Sequence, residues 1–95
     1  MIETLRKMTI KEAIIQSLND LETPVNSREV YRHIVAKSYY EFSAGKTPVS
    51  TVSALIGDFV RNGDTRVKRL KDARGKFIYY LTKNENLIDI DKINQ

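Results

Sequence analysis

The chain has 95 residues, no cysteine, 41% hydrophobic residues and a formal net charge of +4. That length suits one domain with one modest core, and the lack of cysteine excludes a disulfide framework and a thiolate zinc site. No apolar run nears the roughly 20 residues of a membrane span, and the first residues lack the apolar stretch of a secretory signal. A soluble domain of a reducing, cytoplasmic compartment is therefore expected.

Residues 1–8 read as a lead-in. Thr9 to Glu12 forms a capping box, with a hydroxyl at the cap and a carboxylate at the third helical position. The helix it opens is expected to run to about Asp20, with Ile10, Ile14, Ser17, Leu18 and Leu21 on one buried face. Thr23-Pro24-Val25 reads as a short extended connector, because proline biases the preceding residue away from helix. Asn26 and Glu29 then form a second capping box, and that helix should end near Ser38 with Val30 and Ile34 inward. Tyr39, Tyr40 and Phe42 follow in a loop, where the plain expectation is that they anchor it to the core.

The next segment carries the most information. Thr47 is placed to cap a helix and Pro48 to occupy its first position, where a missing N–H costs nothing. Lys46 stands just before that N-terminus, where the helix dipole favours an anion such as phosphate. At about 100° per residue, Val49, Val52, Ile56, Phe59 and Val60 fall on one side of a helix from Pro48 to Arg61. The other side holds Ser50, Thr51, Ala54, Gly57, Asp58 and Arg61. Gly63 is placed to end the helix in a left-handed conformation. Two strands, Thr65–Leu70 and Phe77–Thr82, then form a hairpin, with Gly75 where its loop needs a positive φ. Residues 83–95 read as a linker, a tail or a short extra helix, which leaves residues 9–82 as the domain.

Charge is concentrated rather than spread. Residues 61–76 hold seven Lys and Arg side chains against two Asp, so the rest of the chain is close to neutral. A short basic region of this kind is either a solvated loop or the footprint of a polyanion. Helix, short strand, helix, loop, helix and hairpin is the order of an α+β winged helix. In helix-turn-helix domains the second helix of the motif enters the major groove of double-stranded DNA. On that reading Lys46, Thr47 and the amides of residues 49 and 50 hold phosphate, which fixes position rather than sequence. Ser50, Thr51 and Ala54 face base edges, the alanine methyl suiting the methyl of thymine or of 5-methylcytosine. Arg61, near the far end of the helix, makes a backbone or wing-side contact. Lys68, Lys71, Arg74 and Lys76 line the wing, with Arg74 at its tip aimed at a minor groove.

Gly45-Lys46-Thr47-Pro48 followed by Thr51, together with Gly75-Lys76-Phe77 opening the last strand, resembles the HARE-HTH winged-helix domain. The resemblance covers about residues 9–82. It implies a DNA-binding or chromatin-linked module, proposed for that family to sense sequence or base modification, and found in ASX-like chromatin proteins, restriction endonucleases and the delta subunit of bacterial RNA polymerase. The wing departs from the family pattern, being longer and more basic over residues 62–74.

Catalytic patterns are weak. Asp64-Thr65-Arg66 and Asp72-Ala73-Arg74 approach a metal-dependent nuclease motif but place Arg where a Lys is needed, and Arg stays protonated. Asp89 and Asp91 stand two apart in the tail, and His33 is the single histidine. Gly45-Lys46-Thr47 lacks the preceding glycine and strand of a phosphate-binding loop. A non-catalytic DNA-binding domain without cofactor or metal is expected, serving as the N-terminal specificity module of a bacterial restriction endonuclease whose catalytic nuclease domain follows the tail. The alternatives are a winged helix that docks on a polymerase or chromatin protein, and a small transcription regulator, which would ordinarily need a dimer to reach two half-sites.

Overall fold

Both capping boxes form as the spacing predicts. In a computed structural model that describes residues 8–42 and 48–88, α1 spans Ile10–Leu21 and α2 spans Ser27–Lys37. Thr9 Oγ1 accepts from the Glu12 amide at 3.1 Å, and the Thr9 amide donates back to Glu12 Oε1 at 2.8 Å. Asn26 and Glu29 repeat the exchange at 2.9 and 3.1 Å. Each box satisfies two backbone donors that a helix start otherwise leaves to water. Neither helix ends on glycine: Glu22 (φ 58°) and Ser38 (φ 57°) take the left-handed cap position.

The third helix, α3, spans Pro48–Arg61. It stops in a Schellman turn: the Asp64 amide donates to the Phe59 carbonyl, the Gly63 amide donates to the Val60 carbonyl, and Gly63 sits at φ 76°. Strands β1 (Val67–Lys71) and β2 (Phe77–Leu81) pair antiparallel in the register Val67 to Leu81 through Lys71 to Phe77. Gly75 has φ 81°, as the hairpin loop requires. The connector before α2 joins this sheet at one point, where Val25 and Tyr79 exchange both backbone hydrogen bonds at 3.0 and 2.8 Å. The result is an α+β domain of three helices and a two-stranded hairpin.

The core lies where the three helices meet the inner face of the hairpin. Ala13, Ile14, Leu18, Val30, Ile34, Val52 and Ile56 are fully or almost fully buried, and Val25, Val67, Tyr79 and Leu81 close it from the sheet side. Ile10 and Leu21, expected inward, are partly buried against it, and so are Tyr39, Tyr40 and Phe42. Phe42 is the hub of the loop anchor, its ring centre 5.2 Å from Tyr31 and 5.1 Å from Tyr40.

Strand β2 does not alternate in burial: Ile78, Tyr79, Tyr80 and Leu81 are all buried, and Phe77 is exposed. The chain past β2 turns back as a 3₁₀ helix, Thr82–Leu87, packed on that strand. It is fixed where the Thr82 amide donates to the Arg66 carbonyl at 2.9 Å and the Thr82 hydroxyl donates to the Thr65 carbonyl. Of the readings open for residues 83–95, a short extra helix describes the beginning of that stretch; residues 89–95 lie outside the described residues. Among the described residues no helix is long and apolar enough to cross a membrane.

Candidate nucleic-acid interface

The side of α3 that turns away from the core is open. Ser50, Thr51 and Ala54 are exposed, and Ser53 is exposed beside them. Ser53 follows from the same 3.6-residue geometry as its neighbours, since it adjoins both Ser50 and Ala54 on the helix surface. Lys46 and Thr47, expected to cap the helix and hold phosphate, lie outside the described residues.

Farther along α3 the picture differs from the sequence expectation. Gly57 is buried rather than part of an open strip. The Arg61 side chain folds back across it, close enough that a Cβ built on Gly57 would stand 2.8 Å from Arg61 Nη1. Arg61 Nη2 pairs with Asp58 Oδ1 and reaches the Ala54 carbonyl at 3.4 Å. The open strip therefore ends near Ala54, and Arg61 is engaged on its own helix.

Ion pairing also redistributes the basic region. Arg66 grips Asp64 through two side-chain donors, at 3.1 and 2.8 Å, and its amide adds a third hydrogen bond at 2.9 Å. These bonds, the side-chain ones foremost, hold the Asp64 carboxyl down at about 2. A carboxyl depressed on folding stabilises the fold above the ordinary value of 3.8, and that contribution is lost as pH falls toward about 2. Asp64→Asn is expected to flatten the acid limb of the pH–Tm curve in that window, as thermal unfolding at stepped pH will show. An unchanged acid limb would contradict the role given to this pair.

Lys68 lies on the outer face of the hairpin, where the register places it opposite Tyr80. Its Nζ sits 3.0 and 3.2 Å from the two Glu85 oxygens, and the Tyr80 hydroxyl donates to the same carboxylate at 3.1 Å. Burial, then the bond to Glu85, raises the Tyr80 hydroxyl pKa, while Lys68 foremost lowers that of Glu85. Lys68 is thus a fastener between β1 and the 3₁₀ helix, whereas the sequence reading grouped it with the wing contacts.

Four cations remain at the outer half of the hairpin. Arg69, Lys71, Arg74 and Lys76 are all exposed and make no ion pair among the described residues. The neighbouring carboxylate, Asp72, is turned into the loop, accepting from the Arg74 and Lys76 amides at 2.8 and 3.0 Å. Those bonds, that of Lys76 first, keep its pKa below the ordinary carboxylate value. Asp72 therefore shapes the tip while staying ionised. Arg69 was missed by the sequence reading: only the register puts it, with Lys71 and Phe77, on the face that leads into the core.

The remaining chemistry-bearing groups are tied up locally. His33 Nε2 lies 3.0 Å from Asp20 Oδ2, to which the Tyr39 hydroxyl also donates, and Gln16 donates to Asp20 Oδ1 at 2.8 Å. Burial pushes the Asp20 carboxyl up, but the bonds from Tyr39, His33 and Gln16 together bring it below its ordinary value. The cluster fastens the end of α1 to α2 and the turn after it. Asp64 and Asp72 serve the contacts described above, and Asp89 and Asp91 lie outside the described residues. Among the described residues no three His, Asp or Glu side chains are grouped to hold a metal ion.

Comparison with known proteins returns no match to a family model, to a curated protein or to a solved structure.

Proposed function

We propose that this domain is a non-catalytic double-stranded DNA-binding module of winged-helix type. The observation that carries the reading is the hairpin's outer half, which keeps four exposed cations that make no ion pair among the described residues. Three further features support it. The order of helix, single bridge at Val25, helix, helix and hairpin is compatible with a winged helix. The open strip of α3 at Ser50, Thr51, Ser53 and Ala54 is small and hydroxyl-rich, which suits close approach to a groove floor. The resemblance of Gly45 to Pro48 and of Gly75 to Phe77 to the HARE-HTH domain points the same way.

On this reading α3 enters the major groove with its N-terminal half. Ser50, Thr51 and Ala54 meet base edges, and Lys46 and Thr47 meet the phosphate at the helix start. Lys71, Arg74 and Lys76 run along the backbone or an adjacent minor groove. Phosphate contacts of this kind release condensed counterions, so affinity must fall steeply with salt. Fluorescence anisotropy on a duplex of ~20 bp, from ~50 to ~200 mM salt, tests it; a log–log slope of about −3 or steeper is expected. No binding at the low end, or affinity indifferent to salt, would overturn the reading.

A further inference from the structure

Phe77 is an exposed aromatic in an unusual setting. Its surface is 43% open, although Tyr79 and Leu81 on the same hairpin face are buried in the core. The Arg69 guanidinium carbon lies 4.1 Å from its ring centre and Lys71 Nζ lies 5.4 Å away. Both cations are drawn to the ring's negative face. Neither makes an ion pair among the described residues. The hairpin therefore presents a partly open aromatic ring with two cations held against it.

A complementary partner needs apolar surface for the open part of the ring and anionic groups close beside it. The sugar–phosphate backbone has that build, with deoxyribose rings alternating with phosphates. Resting on the DNA-binding reading above, we propose that Phe77 is the wing's apolar contact. It packs on a deoxyribose at the groove wall while Arg69 and Lys71 take the flanking phosphates. The ring then supplies a part of the affinity that salt does not screen, and the two cations supply a part that it does.

The chain has no tryptophan, so Phe77→Trp introduces a single reporter at the contact. Adding the ~20 bp duplex to that variant at ~50 mM salt should shift indole emission to the blue and protect it from acrylamide. Phe77→Ala should weaken binding about fivefold, which is modest beside the loss of a full stacking contact, with the salt slope unchanged. Lys71→Ala should lower the slope by about one. If Phe77→Ala fails to fold by circular dichroism, the Phe77→Trp titration decides alone. A wild-type chain that does not bind the duplex removes both the DNA-binding reading and this inference. A wild-type chain that binds, with unchanged indole emission in Phe77→Trp, overturns the inference and leaves the reading standing. An emission shift on phosphatidylglycerol vesicles but not on the duplex would assign the ring to a lipid surface and overturn it equally.

Discussion

Reversing three charges at the hairpin tip, Lys71→Glu, Arg74→Glu and Lys76→Glu together, is expected to abolish duplex binding at physiological salt. Each of these side chains is exposed and makes no ion pair among the described residues, so its charge is available to phosphate. Removing three such contacts should reduce the salt slope by about three and the affinity by roughly 10²–10³ at ~0.1 M salt. The fold should survive, because Asp72 shapes the tip through backbone amides that the substitutions keep. Net charge alone must be separated from position. Lys11→Glu, Arg28→Glu and Arg32→Glu change the charge by the same amount, from exposed sites on α1 and α2. That control should bind with most of its affinity. Equal losses in the two triple variants would mean that overall charge, and no particular surface, attracts DNA. No loss in either would favour a protein partner for the domain.

Ile56→Ala is expected to be the most damaging single change to stability. Ile56 has no exposed surface and stands in the middle of α3, among the core residues shared with the other helices. Emptying such a site costs about 3 kcal/mol, transfer and cavity together. A small domain holds only about 5–15 kcal/mol in total, so Tm should fall by roughly 15 °C. Ser53→Ala, on the exposed side of the same helix, should stay within about 0.5 kcal/mol of the wild type. Urea or thermal unfolding of the two variants checks the contrast. A loss below about 1 kcal/mol for Ile56→Ala would mean that α3 is not packed as described. The outcome also bears on function, since the strip at Ser50 to Ala54 is held in place by the burial of Val52, Ile56 and Phe59 behind it.

The helices were legible in the sequence because their signals are local. Thr9 with Glu12 and Asn26 with Glu29 close hydrogen bonds three residues apart, and Pro48 and Gly63 mark the ends of α3. The same holds for Gly75 in the hairpin loop. What stayed hidden depends on contacts distant in sequence. Lys68 looked like any other wing cation until residues 82–87 turned back and set Glu85 against it. The burial of Ile78 and Tyr80 could not follow from the alternation in β2 for the same reason, since alternation marks a strand covered on one face. Arg69 needed the strand register, and the cluster of Asp20, His33 and Tyr39 needed α1 and α2 packed together. Arg61 lay within reach of the sequence: Asp58 three residues earlier and Gly57 four earlier lie under its side chain.

The reading of this chain as a DNA-binding domain requires that the open strip of α3 and the hairpin tip touch one duplex at the same time. Amide chemical-shift perturbation, with ¹⁵N-labelled protein titrated by a short duplex, measures this directly. The amides of residues 50–54 and of residues 71–77 are expected to shift together, with one common dissociation constant, while those along α1 stay in place. Shifts confined to the hairpin, or centred on α1 and α2, would contradict it.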